Sequence, residues 1–366
     1  MRSLAAWMSA AVVLTLGVGT AKADQMDFAL ERLVLTRSEA TGEIVSGPCA
    51  NSGRIVAGVR CSPDDKAFKK LINQYAMVLA PTAMHSARTT GFGGFHLSIE
   101  TAITSIDKDA DYWQNGTQGT QDSSSKKNSI RNASPPGSMQ TYLLKIRKGF
   151  PFGLEMTGNV GYVGKTNLVI GGADVRLSLL EGFRTGALGI LPDIAAGGGV
   201  RTLTGTPQVQ LTVASFDVQI SKPLPIADSN IITPYVGFQY LWIFGDSGLI
   251  DSTPNTDPVG YCGYNGPNVP GNADPAKNNA NGFDGQPVCK GGSGRDFNNT
   301  FVFDPVRLHR QRLILGLSYR YEMVAFSGQF MTDIVDPKDA NSGANKADLD
   351  GVKRQTTAAF EIGAMF

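Results

Sequence analysis

Residues 357–366 read Thr-Ala-Ala-Phe-Glu-Ile-Gly-Ala-Met-Phe, and the alternation within this stretch decides how the rest of the chain is interpreted. Every second position carries an apolar side chain, namely Ala358, Phe360, Ile362, Ala364 and Phe366, while Thr357 and Glu361 lie on the other face. A period of two is that of a β-strand with one apolar face. The stretch therefore predicts a strand of about ten residues, the length that a tilted transmembrane strand needs.

The same alternation recurs through residues 91–366. Tyr142, Leu144 and Ile146, for example, alternate with Lys145 and Arg147. The whole region predicts an all-β antiparallel fold of about ten strands, with roughly 8 to 14 allowed. Short turns alternate with long polar connections, which are predicted at 107–138, 245–304 and 335–352. This asymmetry is typical of a transmembrane β-barrel with long outer loops.

Two segments interrupt the pattern. Residues 209–220 change phase near Ala214 and Ser215, which predicts a β-bulge. The run at 197–199 is Gly-Gly-Gly, but it lacks the Lys-Ser/Thr pair of a phosphate-binding loop and lies within a strand pattern. It therefore predicts a bulge or a close approach of backbone.

The first 23 residues have the features of a secretory signal peptide. Arg2 precedes an apolar run over residues 4–18, and Ala21 and Ala23 occupy the positions of a cleavage site. Cleavage after Ala23 leaves an N-terminal segment, residues 24–90, with one amphipathic helix over about 64–80. This segment is either a periplasmic unit packed on itself or beneath the barrel, or a plug inside it.

The four cysteines form two local pairs, Cys49 with Cys61 and Cys262 with Cys289. In an exported chain the oxidising compartment favours disulfides, and the local pairing is the simplest of the three possible ones. With 3 histidines and no Cys-x-x-Cys motif, the sequence predicts neither a metal site nor a cofactor.

The signal sequence, the alternating strands and the terminal aromatic strand resemble those of Gram-negative outer-membrane β-barrel proteins over about residues 91–366. The resemblance implies insertion into the bacterial outer-membrane bilayer by the outer-membrane assembly machinery. It also implies an assembly signal formed by Phe360, Ile362 and Phe366. Ala364 departs from the bulkier residue often found near the end of that signal.

In such a barrel the apolar face of each strand meets lipid and the polar face lines the lumen. An arginine facing lipid at mid-depth costs about 2–4 kcal/mol, so the charged residues of the strands are predicted to point inward and form ion pairs. They are Glu100, Lys145, Arg147, Glu155, Asp174, Arg176, Arg312, Arg320 and Glu361. The alternative is a soluble sandwich in which these side chains face water.

Two functions remain open at this point. The favoured one is a narrow or gated channel for passive transport of small solutes, because outer-membrane barrels most often serve transport. The alternative is a structural or surface-interaction barrel that displays the disulfide-bridged loop 245–304 and has no transport role. An enzyme is not expected, because His309 has no Ser or Asp partner at a recognisable spacing. The formal net charge of +1 shows no excess of basic residues of the kind that favours nucleic-acid binding. The sequence names neither a solute nor a surface partner.

Overall fold

A computed structural model describes residues 24–49, 58–120, 131–182, 191–227, 230–252, 261–264, 287–290 and 300–366. The predicted signal peptide, residues 1–23, and most of the predicted loop 245–304 lie outside these ranges.

An N-terminal unit, residues 24–79, precedes the barrel. After a 3-10 helix (Leu30–Leu33) come strands β1 (Val34–Ser38), β2 (Ile44–Pro48) and β3 (Val59–Pro63), which form a small sheet with β1 in the centre, and then helix α1 (Asp65–Leu79). The Asp64 carboxylate caps α1 by accepting a hydrogen bond from the Ala67 amide at 3.1 Å. None of the described helices is long and apolar enough to cross a membrane.

The remaining elements follow in chain order: β4 (Phe95–Ser105), α2 (Asp111–Gly116), β5 (Ser138–Gly149), β6 (Leu154–Val163), β7 (Val169–Leu180), β8 (Asp193–Thr204), β9 (Val209–Ser221), β10 (Leu224–Ala227), β11 (Asn230–Ser247), β12 (Ile250–Asp251), β13 (Tyr261–Tyr264), β14 (Pro287–Lys290), β15 (Thr300–Phe301), β16 (Val306–Tyr321), β17 (Val324–Asp333), α3 (Ala344–Asp348) and β18 (Thr356–Met365).

Ten of the described strands close into one antiparallel barrel. Their order is β4-β5-β6-β7-β8-β9-β11-β16-β17-β18, and the ring closes because β18 pairs back with β4. The prediction of an all-β barrel with about ten strands is therefore confirmed.

The outer surface of the barrel is apolar. Large apolar side chains that would be buried in a soluble protein are half exposed here, among them Ile99 at 58%, Phe238 at 40%, Phe330 at 46% and Phe360 at 58%. An apolar band around a closed barrel with a polar interior is the surface that a lipid bilayer covers.

The two ends of the barrel differ. One end, called the long-loop end below, carries the connections 106–137, 164–168, 205–208, 248–305 and 334–355. The opposite end, called the short-turn end, carries the connections 150–153, 181–192, 222–229 and 322–323.

Helix α1 lies in the mouth of the barrel at the long-loop end. It packs against β4, β5, β8, β9, β11 and β16. Phe68, Leu71 and Ile72 of the helix share one buried apolar cluster with inward-facing residues such as Leu211 and Leu241. The inner wall is therefore apolar around the helix and polar further down.

The predicted bulge near Ala214 and Ser215 is wrong. Strand β9 pairs with both β8 and β11 without a shift in register. What changes along β9 is the chemistry of its inward face, which is apolar at Val213, beside α1, and polar from Ser215 to Asp217, in the lumen. The apparent change of phase therefore marks the lower boundary of the helix-filled mouth.

Candidate functional site

The lumen of the barrel contains a stretch of the protein's own chain. Helix α1 ends at Leu79, and residues 80–90, here called the lumen segment, continue from it in a non-helical conformation towards β4. Ala80 and Thr82 are 2% exposed, and Met84 and Ala87 are fully buried.

The wall of the barrel supplies hydrogen-bond donors to consecutive carbonyls of the lumen segment. Buried carbonyls need such partners, because leaving one unpaired costs about as much as a lost hydrogen bond. Every carbonyl from residue 80 to residue 86 accepts a hydrogen bond from a wall side chain. The donors are Arg201 to Ala80, Gln239 and Arg312 to Pro81, Gln329 to Thr82, Gln219 to Ala83, Arg147 to Met84, and Arg176 to His85 and Ser86.

The last part of the lumen segment is held through its amides. Ala87 N donates to the Ser221 hydroxyl at 3.1 Å, and Thr90 N donates to a Glu155 carboxylate oxygen at 2.7 Å. Thr89 N donates to Glu181, which follows the end of β7 at the short-turn end. The segment thus runs from the helix-filled mouth to the short-turn end.

Ion pairs connect the wall strands around this segment. The Lys145 ammonium lies between two carboxylates, 2.8 Å from Glu100 and 3.0 Å from Glu361. The Arg147 guanidinium lies 3.5 Å from Glu361 and 3.4 Å from Glu155. Since breaking one partner of such a buried pair leaves an uncompensated charge, the five residues hold one another in place.

Hydrogen bonds and a histidine contact connect the segment itself to these charges. The Thr82 hydroxyl donates to Glu100 at 2.8 Å and accepts from Arg201 at 3.0 Å. The His85 imidazole lies 3.3 Å from Glu155. The segment therefore participates in the charge network as well as in the backbone hydrogen bonds.

The structure brings most of the nine predicted lumen charges together inside the barrel. Seven are buried, and Asp174 is half-buried, accepting a hydrogen bond from Asn159 at 3.1 Å. Arg320 is exposed at the short-turn end and donates to the Glu322 carbonyl at 3.1 Å. Arg312 differs from the expected ion pairing, because its described hydrogen bonds go to Gln239 and to the Pro81 carbonyl.

Several further charges of the interior were missed from the sequence. Asp217 pairs with Arg176 at 3.3 Å, and Arg310 pairs with Asp333. Arg201 lies 3.5 Å from Glu100. Each shares strand parity with an inward-facing apolar residue, so the polar character of that face is not evident from the sequence.

Of the two predictions for the Gly197–Gly199 run, close approach fits the structure. The pairing of β8 with β9 contains no bulge. A Cβ on Gly199 would overlap the carboxylate of Asp174, so the absence of a side chain makes room for that charge in the lumen.

A cavity of about 270 Å³ lies beside the lumen segment at the short-turn end. Polar and apolar side chains both line it, and its charged residues carry both signs, including Arg147, Glu155, Arg320 and Glu361. Among the described residues no group of three or more His, Cys, Asp or Glu could hold a metal ion. His309 packs 5.6 Å from the Tyr240 ring, and its Nδ1 has no hydrogen-bond partner in the described part of the chain.

The predicted cysteine pairs fall in two places at or beyond the long-loop end. Cys49 and Cys61 form a disulfide within the N-terminal unit, with their Cα atoms 6.0 Å apart. Cys262 and Cys289 stand directly opposite each other on β13 and β14.

The aromatic residues of the terminal strand face outward. Phe360 and Ile362 are 58% and 52% exposed, and Phe366 lies at the short-turn end, where its amide donates to the Phe95 carbonyl at 2.7 Å. The strand therefore completes the lipid-facing surface beside the closing seam.

Solved outer-membrane proteins are similar to this chain at low sequence identity. Ail of Yersinia pestis, in complex with the heparin analogue sucrose octasulfate, is 9% identical, with 75% of this chain and 99% of that one covered and a TM-score of 0.24. OprG of Pseudomonas aeruginosa is 12% identical, with 77% of this chain and 99% of that one covered and a TM-score of 0.26. The barrel fold of this chain rests on its own closed ring of ten antiparallel strands and its apolar outer surface. No protein-family model and no curated protein matches it.

Proposed function

We propose that this protein is a structural or surface-interaction barrel of the bacterial outer membrane, closed by its own N-terminal chain. The observation that carries the proposal is the lumen segment, whose carbonyls from residue 80 to residue 86 are all bound by the wall. A ten-stranded barrel has an interior little wider than its own side chains can fill. With a chain segment inside it, solutes have no continuous path.

What remains available for interaction is the long-loop end. There the N-terminal unit, with its Cys49–Cys61 disulfide, packs against the long connections, and β13 and β14 hold Cys262 opposite Cys289. A second disulfide between these two residues belongs to the proposal. So do export by a signal peptide cleaved after Ala23 and insertion through the strand that ends in Phe366.

A gated channel for small solutes is the second candidate, because one observation favours it. The 270 Å³ cavity lies beside the lower part of the lumen segment, and wall side chains hold the segment there largely by hydrogen bonds that water could replace. Displacement of the segment against one side of the lumen would connect this cavity to the mouth.

Planar-bilayer recording on the purified full-length protein distinguishes the two candidates. The intact protein is expected to show no stable conductance. Replacing Arg176 with Ala removes the donor to the His85 and Ser86 carbonyls. Arg307→Ala is the control, because it removes a half-exposed pair with Asp246 and touches no residue of the lumen segment. Openings in Arg176→Ala but not in Arg307→Ala favour the gated channel, and silence in both favours the structural barrel. A large, stable conductance of the intact protein would contradict the closed lumen.

A further inference from the structure

The N-terminal unit and the start of the barrel lie at opposite ends of the molecule. At the long-loop end, the Lys69 ammonium of α1 lies 2.6 Å from Asp348, in the connection between β17 and β18. The Phe68 ring stacks on Phe303, in the connection before β16, with centroids 4.8 Å apart. The unit is thus bound to the long connections themselves.

A third long connection holds the same unit. The Tyr75 ring of α1 stacks on Trp113 of α2 with centroids 5.6 Å apart. The Trp113 indole donates to the Gln74 side chain at 2.6 Å, and the Arg32 guanidinium donates to the Thr117 carbonyl at 2.9 Å.

Strand β4, in contrast, begins at the short-turn end. Phe95 is paired with Lys148, just before the 150–153 turn, and its amide donates to the Phe366 carbonyl at 3.0 Å. A Cβ on Gly149 would overlap the carbonyl of Gly91, which places the end of the lumen segment beside the same turn.

The chain between α1 and β4 must therefore run the whole length of the barrel. Residues 80–94 can extend over at most roughly 50 Å at about 3.3 Å per residue, which is more than the hydrocarbon thickness of about 30 Å. The hydrogen bonds follow this path, from Arg201 on Ala80, through Gln219 on Ala83, to Glu181 on Thr89.

We infer that the N-terminal unit is carried across the outer membrane inside the protein's own barrel and stands on the cell surface with the long connections. Ten strands alone leave both ends of the barrel domain on one side of the bilayer. The lumen segment adds an eleventh crossing, so residues 24–79 lie on the side opposite to Phe95 and Phe366. Since long connections of outer-membrane barrels face outward, that side is the cell surface.

This inference rests on the outer-membrane location proposed above, but it does not depend on whether the lumen conducts. It assigns the barrel a self-display role: residues 24–79 are its cargo and residues 80–94 are the tether. The lumen, as packed around the tether, has no room for a folded helix of about 10–12 Å diameter. The unit therefore crosses before α1 packs in the mouth.

Three insertions of the same site-specific protease sequence into the full-length protein test the inference. One follows Thr41, in the exposed turn between β1 and β2, and one follows Ser342, in the exposed connection before α3. The third follows Glu322, in the exposed turn between β16 and β17, and is the matched control at the short-turn end. Each variant is first checked for folding by the difference in gel migration between unheated and boiled samples. An insertion after Glu39 replaces any Thr41 variant that fails this check.

In intact cells we expect protease to cleave the Thr41 and Ser342 variants completely and the Glu322 variant only after the outer membrane is permeabilised. If protease cleaves only one of the Thr41 and Ser342 variants in intact cells, the two sites lie on opposite sides of the membrane and the eleventh crossing is overturned. If those two sites behave alike but are cut only after permeabilisation, the crossing stands and display at the cell surface is overturned. Recovery of all three as soluble periplasmic protein would instead defeat the outer-membrane location, and with it the proposed function.

Discussion

At the scale of single residues, the lumen charges form a network in which the buried Lys145 pairs with two carboxylates at once. Its ammonium is 3% exposed and lies between the carboxylates of Glu100 and Glu361. Removing one partner of a buried ion pair costs about 3–5 kcal/mol, because the other charge is left without compensation. Here each carboxylate keeps an arginine within 3.5 Å, so the lower end of that range applies.

We therefore expect Lys145→Met to lower the free energy of unfolding by about 3 kcal/mol, measured by urea titration in lipid vesicles. Lys353→Met is the matched control, because Lys353 pairs with Asp107 at 3.0 Å while its side chain is 70% exposed. An exposed pair of this kind contributes at most about 1 kcal/mol. Equal effects of the two substitutions would show that the buried network does not hold the barrel.

The sequence predicts which face of a strand a charged residue occupies in some strands but not in others. Lys145 stands between Leu144 and Ile146, so alternation alone assigns it to the face opposite two apolar residues. Asp217 likewise stands between Phe216 and Val218, but Val213 of the same face is apolar and points inward against α1, so the face as a whole does not look polar. Alternation assigns a residue to a face, but it does not tell which face meets lipid where both are apolar.

At the scale of elements, the strands were predictable and the surroundings of the helix were not. The ten strands follow from local alternation, which each strand carries in its own sequence. The stripe of α1 was also visible, with Phe68, Leu71 and Tyr75 on one side. However, Asn73 and Gln74 on another side are fully buried as well, because the helix is surrounded by wall and connections. Burial of a helix by elements that are distant in sequence cannot be predicted from the periodicity of the helix itself.

The disulfide belongs to the N-terminal unit and not to the barrel. Cys49 and Cys61 are separated by 12 residues, and closing a loop of this size stabilises by about 3 kcal/mol in the chain-entropy model. We expect the double substitution Cys49→Ser and Cys61→Ser to make residues 24–63 sensitive to limited proteolysis. The heat-dependent gel shift of the barrel should stay unchanged, and its loss would mean that the unit and the barrel fold as one.

At the scale of the whole molecule, the path of the chain through the barrel could not be predicted from sequence. The wall recognises the lumen segment mainly through main-chain carbonyls, and every residue type offers the same carbonyl. The wall donors, such as Gln219, Gln239 and Arg201, looked like ordinary polar positions of strands. Only the closed ring of strands shows that these donors converge on one line.

Deleting residues 24–90 while keeping residues 1–23 tests the role of this path in the whole molecule. The deletion leaves Arg201, Arg312 and Arg176 without the carbonyls that they bind. Because uncompensated buried polar groups are costly, we expect water to enter the lumen, along a track roughly as long as the 30 Å hydrocarbon core. Stable single-channel conductance in planar bilayers should follow. Deleting only residues 24–63 keeps α1 and the lumen segment and should leave the barrel silent. A 24–90 deletion that inserts, shows the heat-dependent gel shift and still fails to conduct would mean that wall charges or long connections close the lumen without the segment.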